Sequence, residues 1–394
     1  MSTFKSPSKK FLTVWAEVDL GQLRRNARAI RSHLGRDGAR ILAIVKADAY
    51  GHGMKAVAAA LESEGVNFFG VANIDEAAEL RGVCPGARIL VLGSFHKSQV
   101  PAYLEHRVIP TISSLEDADV LERILGRRKR SGRFPVHVKF DTGMGRLGIW
   151  HEEADHFLAG LAGRKGLAVE GAYTHFANAD RRDKMPTTRQ ILFFNAAVKK
   201  LASFGFSPSD LHSANSLGLA RFRTAHFNLV RPGILLYGIN PIGSGKMPIT
   251  GLEPILSLKT RISFLRDVEK GRAISYGSTY RTSKKTRIAT LPVGYSHGYR
   301  VGFSNRAFAL VRGIRCRVVG RVTMDHTLID VGAVPSARRW DEVTLIGAEG
   351  KERVSSEELA ALIGTVPYEI PCAIHSRIPR VYLNSNPLKN AGYR

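Results

Sequence analysis

The chain has 394 residues, 44% of them hydrophobic, enough for one barrel-sized domain plus a smaller one or for two to three ordinary domains. Its formal charge of +24 comes from basic residues spread along the whole length, with one short cluster at Arg127 to Arg133, and no recognition-helix, RNP or zinc-finger pattern accompanies them, so a nucleic-acid partner is not expected. Three cysteines without CxxC spacing argue against a disulfide framework and a zinc site, and residues 1–10 carry neither a secretory signal nor a membrane span, so a cytoplasmic protein with reduced thiols is expected.

Residues 12–18 (LTVWAEV) read as a short strand, and 19–34 place Leu20, Leu23, Ala27, Ile30 and Leu34 at helical spacing. The next run, Ile41 to Val45, reads as a strand buried on both faces and stops at Lys46. Asp48, Gly51 and Gly53 then form a turn before an alanine-rich helical stretch, 55–61. A lysine half-buried where a strand gives way to a loop loses solvation, so its pKa falls and its neutral amine can attack a carbonyl. Schiff-base chemistry at Lys46 is the first functional hypothesis, set against the plainer one of a solvated lysine at a strand end.

Apolar, β-rich runs recur at 41–46, 68–73, 88–93, 108–112, 135–140, 168–174, 210–214 and 228–236. Helical stretches separate most of them, some opened by capping-box spacing, as at Asn73 with Glu76 and Ser114 with Asp117. Eight β signals alternating with α signals predict a parallel (β/α)8 TIM-type barrel. The alternative, a doubly wound sheet, lacks a GxGxxG after the first strand. Beyond about residue 250 the pattern turns β-rich, interrupted by one helix at 356–363 behind Ser355, which predicts an all-β domain. The expected division is a tail and strand at 1–16 packed with the β domain, a barrel at 17–250 and the β domain at 251–394.

Polar residues cluster at the carboxyl ends of the later barrel strands, where this fold builds its sites. The fifth strand ends in Asp141, Thr142, Gly143, Gly145 and Arg146, the sixth at His175, the seventh at Asn215 and Ser216, and the eighth carries Arg231 and Gly233. Ser216 and the amides of Gly233 and Ile234 fit a phosphate cradle after strands seven and eight. Taken singly, His175 reads as a core histidine, Arg231 as a surface charge and Ser216 as a helix cap.

Taken together, AIVKADAYGHG, KFDTGMGRLG, the strand ends that follow and AISYGSTY resemble alanine racemases in order and almost residue for residue, from about Trp15 to Arg380. The resemblance implies a barrel plus β domain that binds pyridoxal 5'-phosphate and interconverts L- and D-alanine for peptidoglycan. A broad-specificity amino-acid racemase and another pyridoxal-phosphate barrel enzyme are the alternatives. It implies that Lys46 carries the cofactor, that Tyr50 touches its phosphate beside Asn215, Ser216, Gly233 and Ile234, and that Arg146 bonds its phenolic oxygen and meets the substrate. Arg231 would face the pyridine nitrogen, and Tyr276, linked through His175 to Arg231, would be the base opposite Lys46. Tyr276 and Met324 would reach the cofactor of a partner subunit in a two-fold homodimer, and Lys139 would be carbamylated. One departure is Ser376, between His375 and Arg377, where many alanine racemases carry a tyrosine at the entrance; of the two outcomes, a looser catalytic tyrosine or a wider pocket that admits side chains larger than methyl, the second is expected.

Overall fold

The computed structural model describes residues 8–35, 38–126, 132–243 and 245–385. The basic cluster at 127–133 falls mostly outside the described residues, as does most of the 1–10 tail.

β1 (Val14–Asp19) leads into a helix at Leu20–Leu34 whose N-cap is Asp19; its carboxylate accepts from the Gln22 N–H at 2.9 Å. Leu20, Leu23, Ala27 and Ile30 form the buried face of that helix, as their spacing demands. The barrel strands follow: β2 (Arg40–Ile41), β3 (Ala43–Ile44), β4 (Phe68–Val71), β5 (Arg88–Val91), β6 (Thr111–Ile112) and β7 (Phe134–Asp141). After the short β8 (Ile149–Trp150) come β9 (Leu167–Tyr173), β10 (Asp210–His212) and β11 (Leu229–Val230).

Parallel pairing runs from β3 through β4 to β5, and from β6 through β7 and β9 to β10. A bridge between Leu90 and Ile109 joins the two groups. A second bridge, Asn215 to Arg231, carries the pairing on to β11, which pairs with β2 and closes the ring. The result is a (β/α)8 barrel. Its first strand is broken into two short pieces and its last is only two residues long, because the chain turns away at Gly233 instead of continuing as a strand.

The C-terminal part is built on β12 (Leu256–Arg261), β13 (Phe264–Val268), β14 (Ala273–Ile274), β15 (Tyr280–Arg281), β16 (Thr286–Leu291), β17 (Phe308–Val311) and β18 (Ile314–Arg317). It continues with β19 (Thr327–Asp330), β20 (Glu342–Glu349), β21 (Glu352–Val354) and β22 (Arg380–Leu383). Its largest sheet runs β18-β17-β20-β12-β1-β22, so β1, from the opposite end of the chain, lies between β12 and β22. Two large apolar cores result, with a smaller cluster of strand residues in the barrel around Leu42, Phe68 and Leu90 and another in the β domain around Val268 and Ile288. One large core lies in the barrel, among residues from Val18 to Ile255; the other lies in the β domain and takes in Val14 and Ala16 of β1. Val14, Ala16 and Val18 share one face of β1, and β1 serves both cores along its length: Val14 and Ala16 pack in the β-domain core, and Val18, nearer the barrel, packs in the other.

Candidate active site

At the carboxyl mouth of the barrel lies a cavity of about 620 Å³. Lys46, Tyr50, Lys139, Arg146, His175, Asn215, Ser216, Arg231, Gly233 and Ile234 all line it. Strand ends far apart in sequence converge there because every barrel strand points the same way.

The segment after Lys46 departs from an ordinary loop. Ala47, Asp48, Ala49 and Tyr50 all have φ between 52° and 54°, a full left-handed helical turn made without glycine. Each such residue costs roughly 1–2 kcal/mol, so the turn stores about 4–8 kcal/mol that the surroundings must offset. Its backbone groups are accordingly held from several sides. Glu76 takes the Ala47 N–H at 2.7 Å on one carboxylate oxygen and the Ala72 N–H at 2.7 Å on the other. The expected capping box at Asn73 is therefore only half formed: the Asn73 side chain accepts from the Glu76 N–H at 2.9 Å, but the Glu76 carboxylate accepts from Ala47 and Ala72 and not from the Asn73 N–H. Asp48 accepts from the Met54 N–H at 2.7 Å, and buried His52, stacked on Tyr237, faces the Ala49 and Tyr50 carbonyls through Nδ1. From the β domain, Arg380 donates twice to the Gly51 carbonyl, at 3.1 and 3.0 Å.

Burial, followed by the nearby Arg146 charge, lowers the Lys46 pKa. Arg146 is set by a tight turn in which Asp141 accepts the N–H groups of Gly143, Met144, Gly145 and Arg146 at 2.8–3.1 Å. Burial opposes the Asp141 charge, but those four donors together hold its pKa below the usual carboxylate range. Lys139 is 5% exposed, and burial together with Arg146 and Arg231 brings it down to about 8.

Arg231 is buried, which lowers its pKa to about 10, so it stays charged at neutral pH. Its two terminal nitrogens donate to the carbonyls of Thr174 (2.6 Å), His212 (2.8 Å) and Ser213 (2.9 Å), and to the Nδ1 atoms of His212 (3.0 Å) and His175 (3.3 Å). Burial, then the charges of Arg231 and Lys139, keeps His175 neutral by pushing its pKa well down. Arginine only donates, so His175 accepts at Nδ1 and carries its proton on Nε2. On the opposite side of the cavity the Gly233 N–H donates to the Ser216 hydroxyl at 3.0 Å, and Asn215 caps the helix at Ser216–Arg221. A Cβ added at Gly233 would come within 2.7 Å of the Tyr50 hydroxyl, so glycine keeps open the gap between these groups.

Two expected residues are not brought to this cavity by their own chain. Tyr276 lies in a tight turn, Tyr276–Ser278, and is 71% exposed; Met324 is 54% exposed. Ser376 is exposed in a turn and does not line the cavity either. Several lining residues were passed over in the sequence: Ala72, Leu92, Gly93 and Ser94, and also Tyr173, Tyr368 and Leu147. Tyr173 stacks on His212 (4.7 Å, 8°), Tyr368 lies 6.2 Å from Tyr50, and Leu147 follows Arg146. Position at a strand end was a usable signal for Tyr173, Ala72, Leu92 and Gly93, but not for Tyr368 or Leu147.

The family model described as "Alanine racemase, N-terminal domain" matches residues 18–241, and that for the C-terminal domain matches 255–382. An alanine racemase of Carboxydothermus hydrogenoformans is 41% identical over 370 residues, covering 94% of this chain and 99% of that one. The solved alanine racemase of Clostridium difficile 630 superposes with a TM-score of 0.87 at 34% identity over 96% of this chain and 98% of that one. That of Bartonella henselae, solved with covalently bound pyridoxal phosphate, gives 0.84 at 26% identity over 94% of this chain and 100% of that one. On its sequence, its two domains and its fold, the chain belongs to the alanine racemase family.

Proposed function

We propose that the protein racemises alanine with pyridoxal 5'-phosphate at the barrel mouth, in the cytoplasm, as a two-fold homodimer that supplies D-alanine for peptidoglycan. The observation that carries this is the convergence of Lys46, Arg146, His175 and Arg231 on one cavity that also presents the open cradle of Tyr50, Ser216, Gly233 and Ile234. That cradle fits a phosphate, since the Tyr50 and Ser216 hydroxyls meet the Gly233 backbone at a gap that a Cβ on Gly233 would fill. When bound, the cofactor draws electrons from the substrate and makes its Cα proton acidic.

In this proposal Lys46 would hold the cofactor covalently until the substrate's amine displaced it, and its freed Nζ would then take or return the proton on one face of the substrate. Burial and Arg146 favour the neutral amine that this requires. Arg146 bonds the cofactor's phenolic oxygen and orients the substrate. Arg231, which stays charged, would face the ring nitrogen as a donor without giving up its proton, an arrangement that would leave charge at Cα and favour simple return of a proton over transamination. Inversion needs a second base on the other face. Tyr276 is proposed for that role from a second copy of the chain. This accounts for its exposure, and for that of Met324, in a single chain. The Nε2–H of His175 is then available to steady the Tyr276 oxygen. Lys139 is proposed to be carbamylated. Division of the chain at 1–16, 17–250 and 251–394 is part of the same proposal, supported by the two large apolar cores.

The test is polarimetry of L-alanine incubated with purified protein and cofactor. Optical rotation should decay to zero with wild type and stay constant with Lys46→Ala. Racemisation by Lys46→Ala would remove Lys46 from the reaction.

A further inference from the structure

Beneath Arg231, away from the mouth, the barrel interior holds a buried line of polar side chains that the proposed chemistry does not use. The Arg231 Nη1–H meets His212 Nδ1 at 3.0 Å, and His212 Nε2 lies 3.0 Å from His137 Nδ1. His137 Nε2 makes no hydrogen bond; it stands 3.6 Å from Asp210 Oδ2, close enough for the carboxylate charge to act on the ring. All four residues are buried. Asp210 is held in turn by Arg88 at 2.5 Å and by Arg40.

The two ends fix the direction of this line. Arginine at the top can only donate and a carboxylate at the bottom can only accept. Both imidazoles must therefore be neutral, with the proton on Nε2: Arg231 donates to His212, His212 to His137, and His137 toward Asp210. Burial keeps both rings neutral, and Arg88 and His137 hold Asp210 ionised against its own burial. The backbone is shaped around the same rings. A Cβ on Gly171 would lie 2.3 Å from the His137 ring, and the β7–β9 register shifts between Val136 and His137. Tyr173 lies flat on His212 and has its hydroxyl fixed on Thr111 at 2.8 Å.

We propose that Asp210, His137 and His212 form a one-way polar relay that orients Arg231, hydrogen-bonded from Arg231 to His137 and ended by the Asp210 charge, with Asp210 the positioning residue at the far end of the barrel. The carboxylate polarises both rings, so that His212 Nδ1 becomes a stronger acceptor and holds the guanidinium in one place. This rests on the proposal that Arg231 faces the cofactor ring nitrogen, but the hydrogen-bond order can be measured without cofactor.

In cofactor-free protein with 15N-labelled histidine, NMR should show two ring protons, on Nε2 of His137 and of His212, both protected from exchange and that of His212 shifted downfield by its hydrogen bond. In Asp210→Asn the His137 proton should move upfield and exchange faster. Should that variant fold poorly, His137→Leu and His137→Gln separate relay from packing: leucine removes the acceptor for His212, whereas the glutamine oxygen restores it. In the holoenzyme, Asp210→Asn and His137→Leu should lower kcat by about tenfold, with KM and the His137→Gln rate within about twofold of wild type. Wild-type ring protons on Nδ1, or the same His212 signal in the leucine and glutamine variants, overturn the relay. Shifted ring signals with an unchanged kcat overturn its coupling to the reaction. A wild-type enzyme that shows the ring signals but racemises nothing overturns only the proposed function.

Discussion

Lys139 shows how position alters a side chain. In the sequence it is a lysine inside an apolar strand, where an ammonium is costly. In the structure its Nζ lies 5.4 Å from the centre of the Tyr173 ring, and two arginines share its surroundings. A lysine at about 8 carries a substantial neutral fraction near pH 7.5, and the neutral amine is the form that adds carbon dioxide. The carbamate would be an anion between Arg146 and Arg231. Protein equilibrated with 13C-bicarbonate should therefore show a carbamate carbon signal by NMR that is absent from Lys139→Ala. Its presence in both proteins would place the modification elsewhere.

At the scale of elements, the left-handed turn after Lys46 is held from both domains. Gly51 sits at φ +79°, and a Cβ there would be 2.2 Å from the Pro371 carbonyl oxygen. Gly65 has nearly the same φ, +78°, with nothing within 4 Å. Both positions strain an alanine, but only Gly51 adds a clash with backbone that cannot rotate away. Gly51→Ala should cost about 2–4 kcal/mol in urea unfolding and weaken cofactor retention, against about 1 kcal/mol and full retention for Gly65→Ala. Equal costs would mean that the β domain does not clamp the turn. The sequence marked this stretch as a turn because of Asp48, Gly51 and Gly53. Four successive left-handed residues without glycine were not legible, because the groups that stabilise them come from Glu76 and Arg380, far off in the chain.

For the whole molecule, the separation of Lys46 from Tyr276 has a direct consequence. If each site takes Lys46 from one chain and Tyr276 from another, Lys46→Ala and Tyr276→Phe proteins, each inactive alone, must complement when mixed. A mixed dimer has one site carrying both defects and one carrying neither. With equal amounts and free exchange, half the dimers are mixed, so activity should recover to about a quarter of wild type. Polarimetry after mild dissociation and reassociation measures it. No recovery, with subunit exchange verified by mass spectrometry, would place both bases within one chain and end the shared-site proposal.

Periodicity alone reached the barrel. Parallel strands buried on both faces must be apolar, and their spacing with intervening helices leaves few topologies. The site residues were legible in part for the same reason, since strand ends at the carboxyl mouth can be found by counting runs, and in part through resemblance. What the linear order could not hold was contact between distant segments. It took the fold to bring β1 between β12 and β22, to divert Glu76 from its own helix cap to the Ala47 amide, and to line up Arg231, His212, His137 and Asp210. Local patterning records which residues must avoid water, whereas hydrogen-bond partners are chosen only once closure of the barrel has excluded water and every buried donor has to find an acceptor.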